Sequence, residues 1–278
     1  MIDKNIPLLS IIIPTFNSAS TIRETIESII NQTYKNVEIL VLDNISKDAT
    51  CNIVNEYVNK YPQIKLQSEK DKGVYDAMNK GINLSKGEFL YFMGSDDVFY
   101  SNTTLELIFS KENLTFDFIY GNVLFKHNKK IHSGKSNLSK LVDTQMGICH
   151  QAIFYKKRVF EIVGNYNLKY FIHADYDFNI RCFQNTKVQT KYIDIIVAIF
   201  NESGISGTHS NKDNFHTDLT YLYITKNYNI VDLYNENKNL RKNLKNIKRS
   251  KEFRLGLKLI KPLRKIKRLF RKNNFFIY

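Results

Sequence analysis

The chain reads as an α/β fold, a mostly parallel sheet flanked by helices with a basic helical C-terminal tail, and three features of its 278 residues lead there. Short, mostly apolar runs recur, each the length of a strand. Segments whose apolar residues repeat at helical spacing separate them. Each apolar run ends on a polar loop, three of them carrying acids. A run that is apolar at every position suits a strand buried on both faces, as in a parallel sheet, and parallel neighbours need a helical crossover between them. The alternation therefore predicts a sheet covered by helices.

Leu8 to Ile13 is the first run, stopped by Pro14. Ser20 to Ile30 follows, with Ile22, Ile26, Ile29 and Ile30 at helical spacing and Ser20 as the expected N-cap. The unit repeats as strand Val37 to Leu42 with helix Lys47 to Val58, strand Ile64 to Gln67 with helix Tyr75 to Leu84, and strand Phe89 to Met93 with helix Thr104 to Phe109. After Phe116 the pattern loosens. Phe118 to Phe125 reads as a strand, Lys126 to Lys140 as a polar loop, and Gln151 to Tyr155 as a short strand. Helices are expected over Lys157 to Val163, Ala174 to Phe183 and Asn214 to Tyr228, and a strand over Lys191 to Phe200. In open sheets of this kind ligands bind beyond the carboxyl ends of the strands, so function is sought in the loops that follow them.

The formal charge of +14 is unevenly placed: residues 238–278 hold 16 of the 41 Lys and Arg and one acid, Glu252, so the tail is +15 and residues 1–237 are −1. The basic character belongs to the tail, which suggests an anionic partner for it, lipid headgroups or nucleic acid. A nucleic-acid-binding fold would interleave basic and aromatic residues on a folded surface, and a near-neutral body with a separate tail does not fit that pattern. Cys51, Cys149 and Cys182 are odd in number and widely spaced, so neither a disulfide framework nor a zinc site is indicated and a reducing compartment fits. The first nine residues lack the apolar run of a signal peptide, and no segment is apolar for long enough to span a bilayer. The expectation is a cytoplasmic protein, at most resting on the inner face of the cell membrane.

The loop after the fourth strand, Gly94-Ser95-Asp96-Asp97, puts two adjacent carboxylates at the end of an apolar run. Such acids suit a hard divalent cation, which binds through one or two carboxylates when it shares itself with substrate phosphates. Taken alone they serve equally to open a turn and cap the helix near Thr103. Asp43, Asn44, Ser46, Asp48 and Thr50 follow the second strand. A carboxylate at Asp43 can accept the imide N–H of a uracil or thymine ring, while Ser46 and Asp48 can cap the next helix.

Together with Pro14-Thr15-Phe16-Asn17 upstream and Asp71-Lys72-Gly73-Val74-Tyr75-Asp76-Ala77-Met78-Asn79-Lys80-Gly81 and Gly87 downstream, these pieces resemble, in order and placement, a GT-A fold glycosyltransferase of family 2, over residues 8–210. The resemblance implies an inverting transferase that moves a sugar from a nucleotide-sugar, a UDP-sugar foremost, to a glycan or lipid-linked acceptor in capsule, O-antigen or exopolysaccharide synthesis. It implies that residues 1–236 are one domain, with 1–100 the nucleotide-sugar half and 101–236 the acceptor half, followed by the tail 237–278. Asp43 would then recognise the base, and Pro14, Thr15 and Asn17, with Asn44, would line the ribose and pyrophosphate region. Asp97 would be the principal ligand of Mn2+ or Mg2+, and Asp96 would contact the ribose or the metal. Lys72 either adds positive charge there or is a solvated surface lysine; Gly73 permits close backbone approach; Asp76 and Asn79 touch the sugar or cap a helix.

His173-Ala174-Asp175-Tyr176-Asp177-Phe178 resembles the family's acidic segment beside the acceptor. It implies Asp175 as the base that deprotonates the acceptor hydroxyl, with Asp177 in reserve. Cys149-His150-Gln151 resembles a His-Gln pair under the donor sugar or acceptor, with a plain structural histidine as the other reading. Gly204 to His209 resembles a loop at the mouth of the site.

In the tail, Leu259, Leu263, Ile266 and Phe270 fall at helical spacing among seven cations, with Pro262 near the start. A basic amphipathic helix of this sort lies in the headgroup layer of an anionic membrane. The other reading is a solvated extension, or one docked by Tyr221 to Ile230. Two competing functions stay in view, a sugar nucleotidyltransferase and a non-catalytic nucleic-acid-binding protein. The first is expected to carry a Gly-rich loop with Arg and Lys after the first strand, where this chain has Pro14-Thr15-Phe16-Asn17.

Overall fold

The structure, a computed structural model, describes residues 8–143, 147–201, 214–220 and 230–250. Contacts divide the chain into compact units 1–218 and 219–278. The first unit holds one sheet flanked by helices. Its first half runs β1 Leu9–Thr15, α1 Ile22–Ile30, β2 Val37–Asp43, α2 Thr50–Val58, β3 Ile64–Ser68, α3 Val74–Leu84 and β4 Phe89–Phe92. The second half adds β5 Val98–Phe99, α4 Thr104–Ile108, β6 Phe118–Phe125, β7 Ile131–His132, α5 Leu138–Asp143, a 3-10 turn His150–Ala152, β8 Ile153–Lys156, α6 Arg158–Val163, α7 Ala174–Gln184 and β9 Thr190–Phe200. The second unit contains the helix Ile230–Arg249.

Strand order is β3-β2-β1-β4-β8-β6-β9-β5, with β7 beside β6. The run β3-β2-β1-β4 is parallel throughout. Beyond it β8 is antiparallel to both β4 and β6, while β6 and β9 run parallel. The order reverses between β1 and β4, which makes the carboxyl ends of those two strands the crevice where a ligand is expected.

Pro14 does not stop β1, which continues to Thr15 opposite Asp43. The Thr15 carbonyl accepts from Asn44 N and the Ile12 carbonyl from Met93 N, so even-numbered residues of β1 bond toward β4. The β1–β4 ladder ends at Ile12 and Phe92. The missing N–H of Pro14 therefore faces a side with no ladder left to break.

Helix α1 buries Ile22, Thr25, Ile26 and Ile29, one stripe at helical spacing. It starts at Ile22, with Thr21 rather than Ser20 at its cap and no side-chain capping bond. Helix α3 lies so close to the sheet that a Cβ at Gly81 would fall 2.5 Å from Ile12 Cγ2. The segment expected to be a polar loop, 126–140, contains β7 and the start of α5. The strand expected from Gln151 begins two residues later, because His150–Ala152 forms the 3-10 turn.

Under α7 sits an aromatic floor: Phe178 stacks on Phe160 at 4.6 Å and packs against Tyr166 at 5.1 Å and Tyr155 at 5.5 Å. Tyr155 Oη also donates to Asn179 Oδ1 at 2.8 Å. Rings of this size bury enough surface, in a fixed geometry, to hold the N-terminus of α7 in place. Of the remaining expectations, residues 215–220 are helical. The Gly204 to His209 loop, residues 221–229 and the tail beyond Ser250 lie outside the described residues. Among the described residues no helix is long and apolar enough to cross a membrane.

Candidate active site

Four loops meet at the carboxyl ends of β1 to β4, and side chains knit them together. Asn17, at φ 50°, accepts from Lys47 N at 2.9 Å, and its own N–H donates to Ser46 Oγ at 2.8 Å. Ala19 N donates to Asp48 Oδ2, and Ser18 N to Thr50 Oγ1. Asn44 Oδ1 accepts from Asp71 N, joining the loop after β2 to the loop after β3. Ser18 Oγ and Ser95 Oγ, 2.7 Å apart, join the loop after β1 to the loop after β4. Pro14 is half-buried in β1, and Thr15 is buried with its hydroxyl turned back to the Ile13 carbonyl at 3.1 Å.

Asp43 is 1% exposed. It accepts from Ser46 N at 3.0 Å, Ser68 Oγ at 2.6 Å, Cys51 Sγ at 3.2 Å and Ser46 Oγ. Three of these donors converge on Oδ2 and one reaches Oδ1. Burial pushes its pKa up, and the hydrogen bonds from Ser46, Ser68 and Cys51 outweigh that, leaving it below the usual value. These bonds make Asp43 a brace between its own loop, the end of β3 and α2.

The loop after β3 is held from below. Lys80 Nζ reaches Asp71 Oδ1 at 2.6 Å, Glu69 Oε1 at 2.9 Å and Asp76 Oδ2 at 3.7 Å. Asp76 Oδ2 also accepts from Lys72 N at 3.0 Å, so Asp76 closes the start of α3. Asn79 clasps the Tyr166 backbone through both its amide atoms, at 3.0 Å each. These two side chains cap and clasp. The Lys72 side chain is exposed. Gly73, at φ 132°, lies under Phe171, whose Cε2 would be 3.1 Å from a Cβ there. Both facts require glycine.

The adjacent acids after β4 have opposite fates. Asp97 is 1% exposed, and Gln151 Nε2 donates to its Oδ2 at 2.7 Å, Gly94 N to Oδ2 at 3.2 Å and Asn201 N to Oδ1 at 2.9 Å. Burial, with the Asp96 charge alongside, lifts its pKa to about 6. Asp96 is half-buried; Asn201 Nδ2 donates to its Oδ2 at 2.8 Å, and no donor among the described residues reaches Oδ1. Asp97 is turned inward to tie three loops together, and Asp96 is the acid with an oxygen open to a ligand. Among the described residues no group of three or more His, Cys, Asp or Glu could hold a metal alone. One open carboxylate oxygen fits a hard cation that draws its other ligands from substrate phosphates and water.

Gln151 is 3% exposed. Its amide nitrogen is on Asp97, its oxygen accepts from Cys149 Sγ at 2.8 Å, and its carbonyl accepts from Tyr91 Oη at 2.7 Å. With its amide so engaged, Gln151 buttresses the loop that carries Asp97. His150, its neighbour, faces the other way: Nδ1 lies 3.4 Å from Asp175 Oδ2. Asp175 begins α7, where its Oδ1 accepts from Tyr176 N at 2.9 Å and from Tyr75 Oη at 2.7 Å, a hydroxyl also 2.6 Å from the Ile172 carbonyl. Burial raises the Asp175 pKa, and the bond and charge of His150 followed by the Tyr75 and Tyr176 donors overcome it, so the carboxyl sits below its ordinary value. A helix N-terminus favours the same ionised form. Asp177 is bound by Arg181 Nε at 2.8 Å, and Arg181 also donates to the Val163 and Asn165 carbonyls.

The 3-10 turn is thus the hinge of the site. Two successive residues, His150 and Gln151, connect Asp175 to the Asp96-Asp97 loop. Sequence reasoning missed Asn201, which contacts both acids, and gave Tyr75 no role although it lies within the quoted motif. A spacing of 104 residues between Asp97 and Asn201 leaves no local signal. A concavity of about 420 Å3 lined by Ile162, Val163, Arg181, Gln184, Asn185 and Thr186 lies toward the opposite end of α7 and contains none of these groups.

Comparison with known proteins identifies the family and the fold. The family model described as Glycosyl transferase family 2 matches residues 10–187. A PGL/p-HBAD biosynthesis glycosyltransferase of Mycobacterium bovis is 39% identical over 211 residues, 74% of this chain and 82% of that protein. Among solved structures, S. aureus TarS 1-349 in complex with UDP-GlcNAc superposes with a TM-score of 0.63 at 19% identity, covering 80% of this chain and 68% of that one. Another structure of the same fragment is matched over 60% of its length. The mannosyltransferase PcManGT of Pyrobaculum calidifontis, in complex with GDP-Man and Mn2+, gives a TM-score of 0.52 at 16% identity, covering 70% of this chain and 56% of that one. At these identities the two structures speak for the fold.

Proposed function

This chain belongs to glycosyl transferase family 2, and from that membership we propose that it is an inverting, divalent-metal-dependent transferase that moves a sugar from a UDP-sugar to a hydroxyl of a glycan or lipid-linked glycan. The observation that carries the reading is the His150–Gln151 turn, which couples a carboxylate held ionised, Asp175, to the acidic loop at the strand switch point. A TarS structure binds UDP-GlcNAc, and the same nucleotide is the donor we assign here.

In this reading Asp96 holds Mn2+ or Mg2+ together with the donor diphosphate. When bound, the cation supplies positive charge against the negative charge that grows on the leaving nucleoside diphosphate. Asn201 orients the Asp96 carboxylate, and Asp97 fixes Asn201, Gln151 and Gly94 around it. Asp175 takes the proton of the acceptor hydroxyl on Oδ2, the oxygen not engaged by Tyr75 and Tyr176. The acceptor oxygen bonds to the anomeric carbon as the bond from that carbon to the diphosphate breaks, and the nucleotide leaves with the electron pair. Tyr75, whose burial and proximity to Asp175 raise its pKa well above that of free tyrosine, remains a hydrogen-bond donor throughout. The loops braced by Asp43, Asn17 and Asn44 form the floor for the nucleoside, and Gly73 lets the backbone approach it. Acceptors of surface glycan synthesis are membrane-bound, and the +15 of residues 238–278 suits attachment to an anionic inner leaflet.

Calorimetric titration with UDP, GDP and dTDP, each with and without Mn2+, tests the donor site. The expected outcome is metal-dependent binding of UDP that Asp96→Asn abolishes. Binding indifferent to metal and to Asp96→Asn would remove the cation from the proposal, and no binding of any nucleotide would remove the donor site itself.

A further inference from the structure

The helix Ile230–Arg249 exposes Leu240 at 60%, Leu244 at 52% and Ile247 at 53%. These three share a repeat with residues before them. Counting in sevens from Ile230 puts Ile230, Asn237 and Leu244 at the first position of the heptad, and Leu233, Leu240 and Ile247 at the fourth. Apolar residues at those two positions form the seam of a coiled coil. We propose that this helix pairs with the same helix of a second copy of the chain, as a parallel two-stranded coiled coil that makes the protein a dimer.

Three features select this occupant. Asn237 is the one polar residue of the seam, and a single Asn at the first heptad position fixes register and a two-stranded state. Glu236 stands at the seventh position and Arg241 at the fifth of the next heptad, the spacing at which opposite charges face each other across a parallel pair. The other cations are placed to tolerate a like-charged partner: Lys238 and Lys245 fall at the second position and Lys242 and Arg249 at the sixth, away from the seam, leaving only Lys248 beside Arg241 at its flank. A helix lying in a membrane needs a broad apolar face, whereas this stripe is two positions in seven wide with an asparagine within it. The register ends where Lys251 and Arg254 would occupy seam positions.

Light scattering and sedimentation equilibrium on the full chain test the proposal. The wild type is expected to run as a dimer, and Leu240→Asp with Leu244→Asp as a monomer whose circular dichroism retains the sheet signal, since these residues belong to the second compact unit. Fourth-position residues of a parallel pair lie about 6 Å apart at Cα, within disulfide reach. Leu240→Cys is therefore expected to cross-link under mild oxidation and Lys242→Cys is not, each compared with the wild type to account for Cys51, Cys149 and Cys182. A monomeric wild type, a double variant that stays dimeric, or equal cross-linking at 240 and 242 would overturn it. So would a monomer that pellets with phosphatidylglycerol vesicles and ceases to when Leu240 and Leu244 are changed, which would give the stripe to the membrane.

Discussion

The loops after β2 and β3 and the junction of the β4 loop, the 3-10 turn and α7 are both rich in acids, yet they use them differently. In the first region Asp43 and Asp48 have both oxygens engaged, Asp43 by four donors and Asp48 by Ala19 N, Thr50 N and Thr50 Oγ1, while Asp71 and Asp76 are tied through one oxygen each to the shared Lys80. In the second, Asp96 and Asp175 each keep one oxygen without a close protein donor, the nearest to Asp175 Oδ2 being His150 at 3.4 Å. A satisfied carboxylate stiffens a loop, and an open one is free to take a ligand or a proton. The density of acidic motif residues marks the scaffold as readily as the site.

The largest effect that would break this contrast belongs to Asp175. Asp175→Asn keeps the Tyr75 and Tyr176 contacts at Oδ1 but cannot accept a proton at the other atom. Loss of general-base catalysis typically lowers turnover by about 10²- to 10⁴-fold. Affinity for UDP, set on the other side of the turn, is expected to stay unchanged. An active Asp175→Asn enzyme in a donor-saturated transfer assay would return the base role to another residue.

The next effect is on stability and separates the two regions directly. Asp43→Ala strands four donors around a buried site, and at roughly 1 kcal/mol for each unsatisfied group it is expected to cost about 4 kcal/mol. Asp96→Ala removes one bond from a half-buried side chain and is expected to stay within about 0.5 kcal/mol. Urea midpoints of the two variants give the difference. Because hydrogen bonds lower the Asp43 pKa in the folded state, its contribution is fully present above the unfolded carboxylate value and disappears as pH falls through the folded one. The stability gap between wild type and Asp43→Ala should close in acid.

The same contrast explains what the sequence discloses and what it hides. The strands β1, β2 and β4 are legible because they are mostly apolar and end on polar loops, and β3, Ile-Lys-Leu-Gln-Ser, is legible only from its place in the alternation. Two-residue strands such as β5 and β7 carry no such run; they exist because β9 and β6 offer them an edge. For the site, the acids at 96 and 97 are visible as a pair, but which one turns inward depends on Gln151 and Asn201, brought in by strands far along the chain. His150 and Gln151 look like a unit in the sequence, and the 3-10 turn sends their side chains to different carboxylates.

A smaller effect sharpens the account of Asp175. With His150 present, its carboxyl ionises below the ordinary range, so the acid limb of the rate profile lies low. His150→Gln removes the foremost contribution opposing burial, and burial then raises the pKa. The acid limb of kcat/KM is expected to move to higher pH while the plateau at alkaline pH is largely kept. An unshifted limb with a lower plateau would mean that His150 touches substrate instead of tuning the base.

The smallest effect is the one that distinguishes neighbours on one helix. Asp177 lies two residues from Asp175 at the start of α7, but it is committed to Arg181, a half-exposed pair one turn on that also holds the Val163 and Asn165 carbonyls. Asp177→Asn is expected to loosen that pair by about 0.5 kcal/mol or less, the usual worth of such a contact on a helix surface. Turnover should be unchanged, because the Asp177 carboxylate is committed to Arg181 and not to His150 or to the acids after β4. A fall in turnover comparable to that of Asp175→Asn, with stability preserved, would show that α7 presents its second acid to the acceptor and that an ion pair in the resting structure can open when substrate arrives.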